Sequence, residues 1–347
     1  MKEEGWMMKR IGIKDVAKEA GVSIATVSYV INNKGGQSLS EETKERVWKA
    51  VNKLNYVPNL SARILANNKS NLIGVVIPQT ETDKEFMFAN PFYAEFLSSL
   101  ELTARKRGYH VLISGANADE NYIEVAKKRN LDGIVILGVY PKDTLADIQN
   151  SGIPTVIIDS YIKSYHFNTV GTDDCYAGYT ATKYLLEKGH KKIAIVTGST
   201  LEKGVNQERV RGYQDALSEY EIPVEKRYIC TGTVDFEYGE EVAENIAKMK
   251  DEITAVFCTA DIMALGLLKG LTKFAIRVPE DISIMGFDNT FISKISTPAL
   301  TTVNQNISIK GERAAKMIIG LLEEQLKGKQ DYIVPIEIVE RESVREV

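Results

Sequence analysis

From Asn71 onward, short apolar runs recur with helix-length segments between them, and few architectures accommodate that rhythm. The runs are LIGVVIP (72–78), YHVLIS (109–114), GIVILG (133–138), PTVIID (154–159), KIAIVTG (192–198), ITAVFCT (253–259) and DISIMGFD (281–288). They are nearly continuous in apolar residues rather than alternating, which predicts strands covered on both faces. Strands alternating with helices in this way build parallel sheets. The length suits two doubly wound lobes, so the expected fold class is α/β. Ligands of such folds sit at the carboxyl ends of the strands.

The chain before residue 71 follows a helical period instead. In Ile13–Asn33, IKDVAKEAGVSIATVSYVINN, the residues Val16, Ala17 and Ala20 share one helix face. Gly21 stands where a sharp turn needs the left-handed conformation, and Ser23 is a good N-cap for a second helix. On that helix Val27, Val30 and Ile31 form the inner face. Ile24, Ala25, Ser28, Tyr29 and Asn32 are left on the other side, free to meet base edges and phosphates. A third helix begins at Ser40, with Glu41 and Glu42 in the turn where the helix dipole favours acids. Its inner stripe is Val47, Ala50, Val51 and Leu54. Two short helices joined by such a turn form a helix-turn-helix, which sets its second helix into the major groove of DNA.

Charge supports that reading. Residues 1–70 hold 12 Lys/Arg against 7 Asp/Glu, a net of +5, although the whole chain is at −4. A basic head on an acidic body orients a protein on a polyanion. Cys175, Cys230 and Cys258 are odd in number and lack metal-ligand spacing, which suggests a reducing compartment. The first residues, MKEEGWMMKR, contain no apolar run of signal-peptide length, and no segment is expected to span a membrane. The expected localisation is cytoplasmic. His110, His166 and His190 have neither triad nor metal-ligand spacing, and Gly198–Gly204 lacks the Lys-Ser/Thr of a phosphate loop. No enzyme, cofactor or metal is expected.

Several long motifs carry a resemblance over nearly the whole chain. They are IKDVAKEAGVSIATVSYVINN, LNYVPNLSARILA, NPF (90–92), GYTATKYLLEKGH (178–190), VPEDISIMGFDN (278–289) and RES (341–343). The sequence resembles the LacI–GalR family of bacterial repressors. The resemblance implies an extension over 1–10, a helix-turn-helix domain over 11–58, and a hinge helix and linker over 59–70. A two-lobed effector-binding and dimerisation domain would then fill 71–347. It also implies three crossings between the lobes, an effector in the cleft and a homodimer on a pseudo-palindromic operator. The last part of the chain, including Ile307–Leu326, should contribute to both lobes and to the dimer surface, and His190 should be a structural turn residue.

Site residues follow from the same resemblance. DNA contacts are expected from Ser23, Ile24, Ala25, Thr26, Ser28, Tyr29 and Asn32 in the head. The hinge should add Asn59, Ala62, Arg63 and Leu65, with Leu65 wedged into a minor-groove step, where an apolar wedge repays its unstacking cost by bending the duplex. The resemblance carries the effector arginine to Arg209, an effector aspartate to Asp288 and a stacking aromatic to Phe236. Phe92, Asp159 and Asp261 join them from their places near strand ends. Asp after a strand is also a common N-cap, an open alternative for Asp261 and Asp159. Asp173 and Asp174, before a helix, are expected to cap it.

The sequence departs from the family pattern in three places, one being Ile24 and Ala25, which at variable recognition positions can offer only apolar contact. Tyr29 stands where many relatives carry a guanine-reading arginine, and tyrosine cannot make that bidentate contact. Residues 81–89 lengthen the loop before NPF, beside the expected cleft. Carboxylates and an arginine beside aromatics suit polyhydroxylated ligands. Repression of a carbohydrate-use operon, relieved by a sugar or sugar phosphate, is therefore expected. The alternative is the same fold under a purine-type corepressor or a protein corepressor. A transport-type sugar-binding protein is the most distant rival.

Overall fold

The computed structural model describes residues 11–31, 39–56, 69–79, 87–117, 122–138, 142–161, 166–201 and 203–347. The chain divides into two compact units, Met1–Ser70 and Asn71–Val347.

In the first unit, α1 (Ile13–Ala20), α2 (Ile24–Ile31) and α3 (Glu41–Lys53) enclose a small core. Val16, Ala17, Ala20, Val27, Val30, Val47, Ala50, Val51 and Tyr56 are buried together there. Gly21 ends α1 in the left-handed conformation at φ 64°, and Val22 N–H closes the turn onto Ala17 O at 3.0 Å. Ser40 caps α3 by accepting from Thr43 N–H at 3.3 Å.

Among the described residues, the second unit contains two six-stranded sheets. The N-terminal lobe runs β1 (Leu72–Gln79), α4 (Pro91–Lys106), β2 (His110–Asn117), α5 (Tyr122–Arg129), β3 (Gly133–Leu137), α6 (Lys142–Ser151), β4 (Thr155–Ile158) and β5 (Asn168–Gly171). The C-terminal lobe continues with α7 (Asp174–Glu187), β6 (Ile193–Gly198), α8 (Val205–Glu219), β7 (Ile229–Gly232), α9 (Phe236–Lys248) and β8 (Ala255–Cys258). It is completed by α10 (Asp261–Thr272), β9 (Ser283–Asp288), α11 (Phe291–Ile295) and β10 (Thr301–Asn304). The chain then returns through α12 (Ile307–Leu322) and β11 (Asp331–Ile333) and ends its sheets with β12 (Glu337–Val339).

Strand order is β2-β1-β3-β4-β5-β11 in the first lobe and β7-β6-β8-β9-β10-β12 in the second. All pairings are parallel except β10–β12. Three segments cross between the lobes: 172–173, 305–306 and 334–336. The α/β class and the seven strand regions match the sequence reading. Five strands had no sequence signal: β5, β7, β10, β11 and β12 are three or four residues long. They lie at the sheet edges or next to them, where continuous apolar character is not demanded.

The last part of the chain serves both lobes: β12 joins the C-terminal sheet, while β11 joins the N-terminal sheet together with helix α12. The helix packs on α4 and on β3, β4 and β5, with Ala314, Ala315 and Ile318 in the core of the N-terminal lobe. It belongs to that lobe because its small and β-branched stripe fits that sheet.

Candidate functional site

In the head, Ser23 caps α2, its Oγ accepting from Thr26 N–H at 3.0 Å and pairing with Thr26 Oγ1 at 2.9 Å. Val27 and Val30 turn inward, which leaves Ser23, Ile24 and Ala25 exposed and Thr26, Ser28 and Tyr29 half-buried. Ile24 is 43% exposed although it is a large apolar residue. The remaining expected DNA contacts, Asn32, Asn59, Ala62, Arg63 and Leu65, lie outside the described residues. So does most of the lengthened loop, 81–86.

In the second unit, charged side chains converge at the carboxyl ends of the strands and on the crossings. Helices α7 and α8 approach closely because Gly178 and Gly212 face one another's backbones. A Cβ at Gly178 would lie 2.2 Å from Arg209 O, and one at Gly212 would lie 2.0 Å from Cys175 O. That approach brings Asp174, the first residue of α7, to Arg209 on α8. Arg209 Nε donates to Asp174 Oδ1 at 2.7 Å and Nη1 to Thr259 O at 2.7 Å. The guanidinium carbon lies 3.7 Å from the centre of the Phe287 ring, a cation–π contact away from water. The Tyr161 hydroxyl donates to the other Asp174 oxygen, Oδ2.

A second set joins the lobes through α12. Lys310, with no exposed surface, donates to Asp159 Oδ1 and Oδ2 at 2.8 and 2.9 Å and to Gln305 Oε1 at 2.7 Å. Gln305 in turn donates to Asp288 Oδ1. The ammonium also stands 5.6 Å from the centre of the Phe92 ring. Asp159 and Asp288 turn the chain sharply at the ends of β4 and β9, with φ at 50° and 118°. Positive φ is uncommon for residues other than glycine and often marks a functional site.

Burial shapes the charges. It raises the Asp174 carboxyl above the ordinary carboxylate range, with Arg209 opposing the shift. It also raises Asp288, again opposed by Arg209 and by the Gln305 hydrogen bond. Burial works against the Arg209 cation, yet Asp174 and Asp288 outweigh it and the guanidinium is held more firmly charged. Thr172 Oγ1, on the first crossing, is buried and has no hydrogen-bond partner among the described residues.

Of the expected effector residues, Arg209, Asp288, Asp159 and Phe92 are thus brought into one cluster. Phe236 opens α9 half-buried at the end of β7 and makes no ring or charge contact with that cluster among the described residues. Asp261 is a correction. It has no exposed surface, and both its oxygens are engaged within the lobe. Thr290 N–H and Oγ1 donate to Oδ2 at 2.8 and 3.1 Å, and Thr302 Oγ1 donates to Oδ1 at 2.6 Å. It ties β9 and β10 to α10 and is not presented to a ligand. It does not cap α10 either, since it is that helix's first residue and Ala260 holds the cap position.

Asp174 is a second correction. Asp173 alone caps α7, accepting from Tyr176 N–H at 2.9 Å, while Asp174 is the ion partner of Arg209. Sequence reasoning also missed Tyr161, Gln305, Phe287 and Lys310. Only Lys310 carried a signal, since it falls on the apolar stripe Ile307, Lys310, Gly311, Ala314, where a lysine needs a buried anion. His190 is buried at its turn, bonded through Nδ1 to Thr254 Oγ1 at 2.9 Å and through Nε2 to Arg345 O at 3.0 Å.

Comparison with known proteins places this geometry. Residues 12–59 match the family described as bacterial regulatory proteins, lacI family, and residues 182–344 match the periplasmic binding protein-like domain. The transcriptional repressor PurR of Aliivibrio salmonicida is 34% identical over 341 residues, covering 96% of this chain and 99% of that protein. The lac repressor dimer bound to operator and the anti-inducer ONPF superposes with a TM-score of 0.81 at 25% identity, covering 97% of this chain and 100% of that one. The complex of the regulator CelR with cellobiose gives 0.70, also at 25% identity, covering 96% and 100%. Among the described residues, no helix is long and apolar enough to cross a membrane. With a helix-turn-helix head before two parallel-sheet lobes, and relatives matched from end to end, the chain belongs to the LacI–GalR family of bacterial transcriptional repressors.

Proposed function

We propose that this repressor's hold on its operator is set by a small molecule of the purine type bound between the lobes of the second unit. The observation that carries the reading is the end-to-end match, at 32 to 34% identity, to relatives sharing the name PurR. The sugar-bound CelR complex stands lower, at 25%. The cluster suits such a ligand. Arg209 has N–H groups beyond its two bonds, Asp288 retains acceptor capacity, and Phe92 offers a ring face. A planar heterocycle with ring N–H and carbonyl groups can use all three.

In this reading a homodimer places two heads on a pseudo-palindromic operator. Ser23, Ile24, Ala25, Thr26, Ser28, Tyr29 and Asn32 enter successive major grooves. Asn59, Ala62, Arg63 and Leu65 engage the central minor groove. Tyr29 reads its position by apolar contact or a single hydrogen bond in place of an arginine fork. Ligand acts by binding more tightly to one relation of the lobes than to another, since a ligand without that difference shifts nothing. The sign of a corepressor is that ligand strengthens operator binding.

Sugar control of a carbohydrate operon is the second reading, favoured by the likeness to the cellobiose complex. A thermal-shift panel of purine bases, sugars and sugar phosphates on the wild type and on Arg209→Ala separates the two. A ligand at 100 times its Kd stabilises by about 2.7 kcal/mol. A purine response lost in Arg209→Ala supports the reading. A sugar response moves the effector to the second reading, and no response at all points to a protein corepressor.

A further inference from the structure

Arg209 is aimed by a residue of the opposite lobe. Tyr161 follows β4 in the N-terminal lobe, three residues beyond Ile158. Its hydroxyl reaches across the first crossing to Asp174, which opens α7 in the C-terminal lobe. Asp174 N–H donates to the same hydroxyl oxygen at 3.3 Å, and Thr172 O lies 3.3 Å away. A hydroxyl has one proton, and the Asp174 carboxylate is the stronger acceptor. The side chain of Asp174 is wholly buried, so its two oxygens depend on two partners: Tyr161 on Oδ2 and Arg209 Nε on Oδ1. Arg209 is also held by Thr259 O, which accepts from Nη1, and by the Phe287 ring. The chain of contacts therefore runs from one lobe, through one carboxylate, to the guanidinium in the other.

We propose that Tyr161 is a positioning residue of the ligand site, holding Asp174 so that Arg209 faces a ligand only when the lobes stand in the relation that lets the hydroxyl reach. The inference rests on the reading that Arg209 contacts the ligand. Without the hydroxyl, Asp174 Oδ2 loses its donor in a dry site, and the carboxylate is free to tilt and carry Arg209 with it. Burial and Asp159 disfavour the ionised Asp174, while Arg209, Lys310 and the Tyr161 hydrogen bond favour it. Its loss therefore moves protonation of the site to higher pH.

The test uses the full chain with Tyr161→Phe, Arg209→Lys and the double variant, each unfolded in urea at pH 7 and at pH 5. Coupling through Asp174 predicts that the two single losses add to more than the loss in the double variant, because each breaks the same relay. Because the hydroxyl favours the ionised Asp174, it also predicts that the stability lost in Tyr161→Phe shrinks from pH 7 to pH 5, as the carboxyl takes up a proton in the folded state. Losses that simply add, with a Tyr161→Phe difference that is the same at both pH values, overturn the proposal. Asp174→Asn serves as a second variant. It keeps the shape of the carboxylate, and once it is in place Tyr161→Phe should have little further effect. In parallel, titration with adenine, guanine and hypoxanthine should show about ten-fold weaker binding in Tyr161→Phe, the scale of one hydrogen bond to a charged group. If no base binds even the wild type, the purine reading fails, while the unfolding cycle still decides the role of Tyr161. If bases bind the wild type and Tyr161→Phe equally, the positioning role fails and the purine reading stands.

Discussion

Lys310 grips both carboxylate oxygens of Asp159 across 151 residues of sequence, tying the first turn of α12 to the end of β4. The ammonium has no exposed surface, and the Asp159 side chain retains 15% of its own. Such a pair is costly to create and more costly to halve, because the surviving charge is left dry. It also stands where the chain has just crossed between lobes, so its integrity bears on that crossing as well as on stability.

Lys310→Met should destabilise the second unit by about 3–5 kcal/mol, the range for breaking one partner of a buried pair. Adding Asp159→Asn should recover part of that loss, because the stranded anion is removed. Urea unfolding of the wild type, both single variants and the double variant measures the recovery. A double variant no more stable than Lys310→Met would mean that the ammonium matters only through packing.

Acid should weaken the fold through His190. Burial lowers its pKa below the ordinary 6.5, opposed by the hydrogen bond to Arg345 O. A depressed folded value means that the unfolded chain takes up the proton first. The contribution of the neutral ring is therefore complete above 6.5 and is lost as the pH falls below that value. The difference in unfolding free energy between the wild type and His190→Gln should shrink from pH 7 to pH 5. An unchanged difference would show that the ring is not kept neutral.

Gly212→Ala should separate α7 from α8, since its Cβ would meet Cys175 O at 2.0 Å and Tyr179 N at 2.4 Å. Overpacking of this kind costs about 1–3 kcal/mol. Because α7 carries Asp174 and α8 carries Arg209, ligand affinity should fall by more than an order of magnitude in the variant that still folds. Isothermal titration with the best ligand of the panel, beside a melting curve, checks both effects.

Ser23→Ala removes the acceptor that caps α2 and should cost the head about 1 kcal/mol. Operator affinity should fall by several-fold with the ligand affinity of the second unit unchanged. Deleting residues 1–70 is the limiting case. It should abolish sequence-specific DNA binding and preserve ligand binding, which fluorescence anisotropy on operator DNA and calorimetry on ligand read separately. Sequence-specific binding that survives the deletion would refute the assignment of the head.

Much of this molecule is legible in local patterns. The turn at Gly21, the caps at Ser23 and Ser40 and the inner face Val27–Val30 each follow from residues within a few positions of one another. The seven main strands are legible for a similar reason, since a strand buried on both faces must be apolar throughout. The short strands are not, because TTVN and DYI gain their partners only from neighbours already in place. The cluster is legible in part. Arg209 and Asp288 stood out by resemblance, and Asp159 by its place after a strand.

The amino-acid sequence by itself determined the helix-turn-helix, the two parallel-sheet lobes and the family, because periodicity, caps and ordered motifs are local properties of the chain. Tertiary structure alone decided which carboxylates serve which purpose. Asp173 and Asp174 are adjacent, yet one caps a helix and the other holds an arginine 35 residues away. Asp261 looked available and is locked by Thr290 and Thr302, while Lys310 looked like one more helix lysine and anchors a crossing. The physical reason is that an ionisable group's role depends on its desolvation and on the charge facing it. Both arise only when segments distant in sequence are packed together.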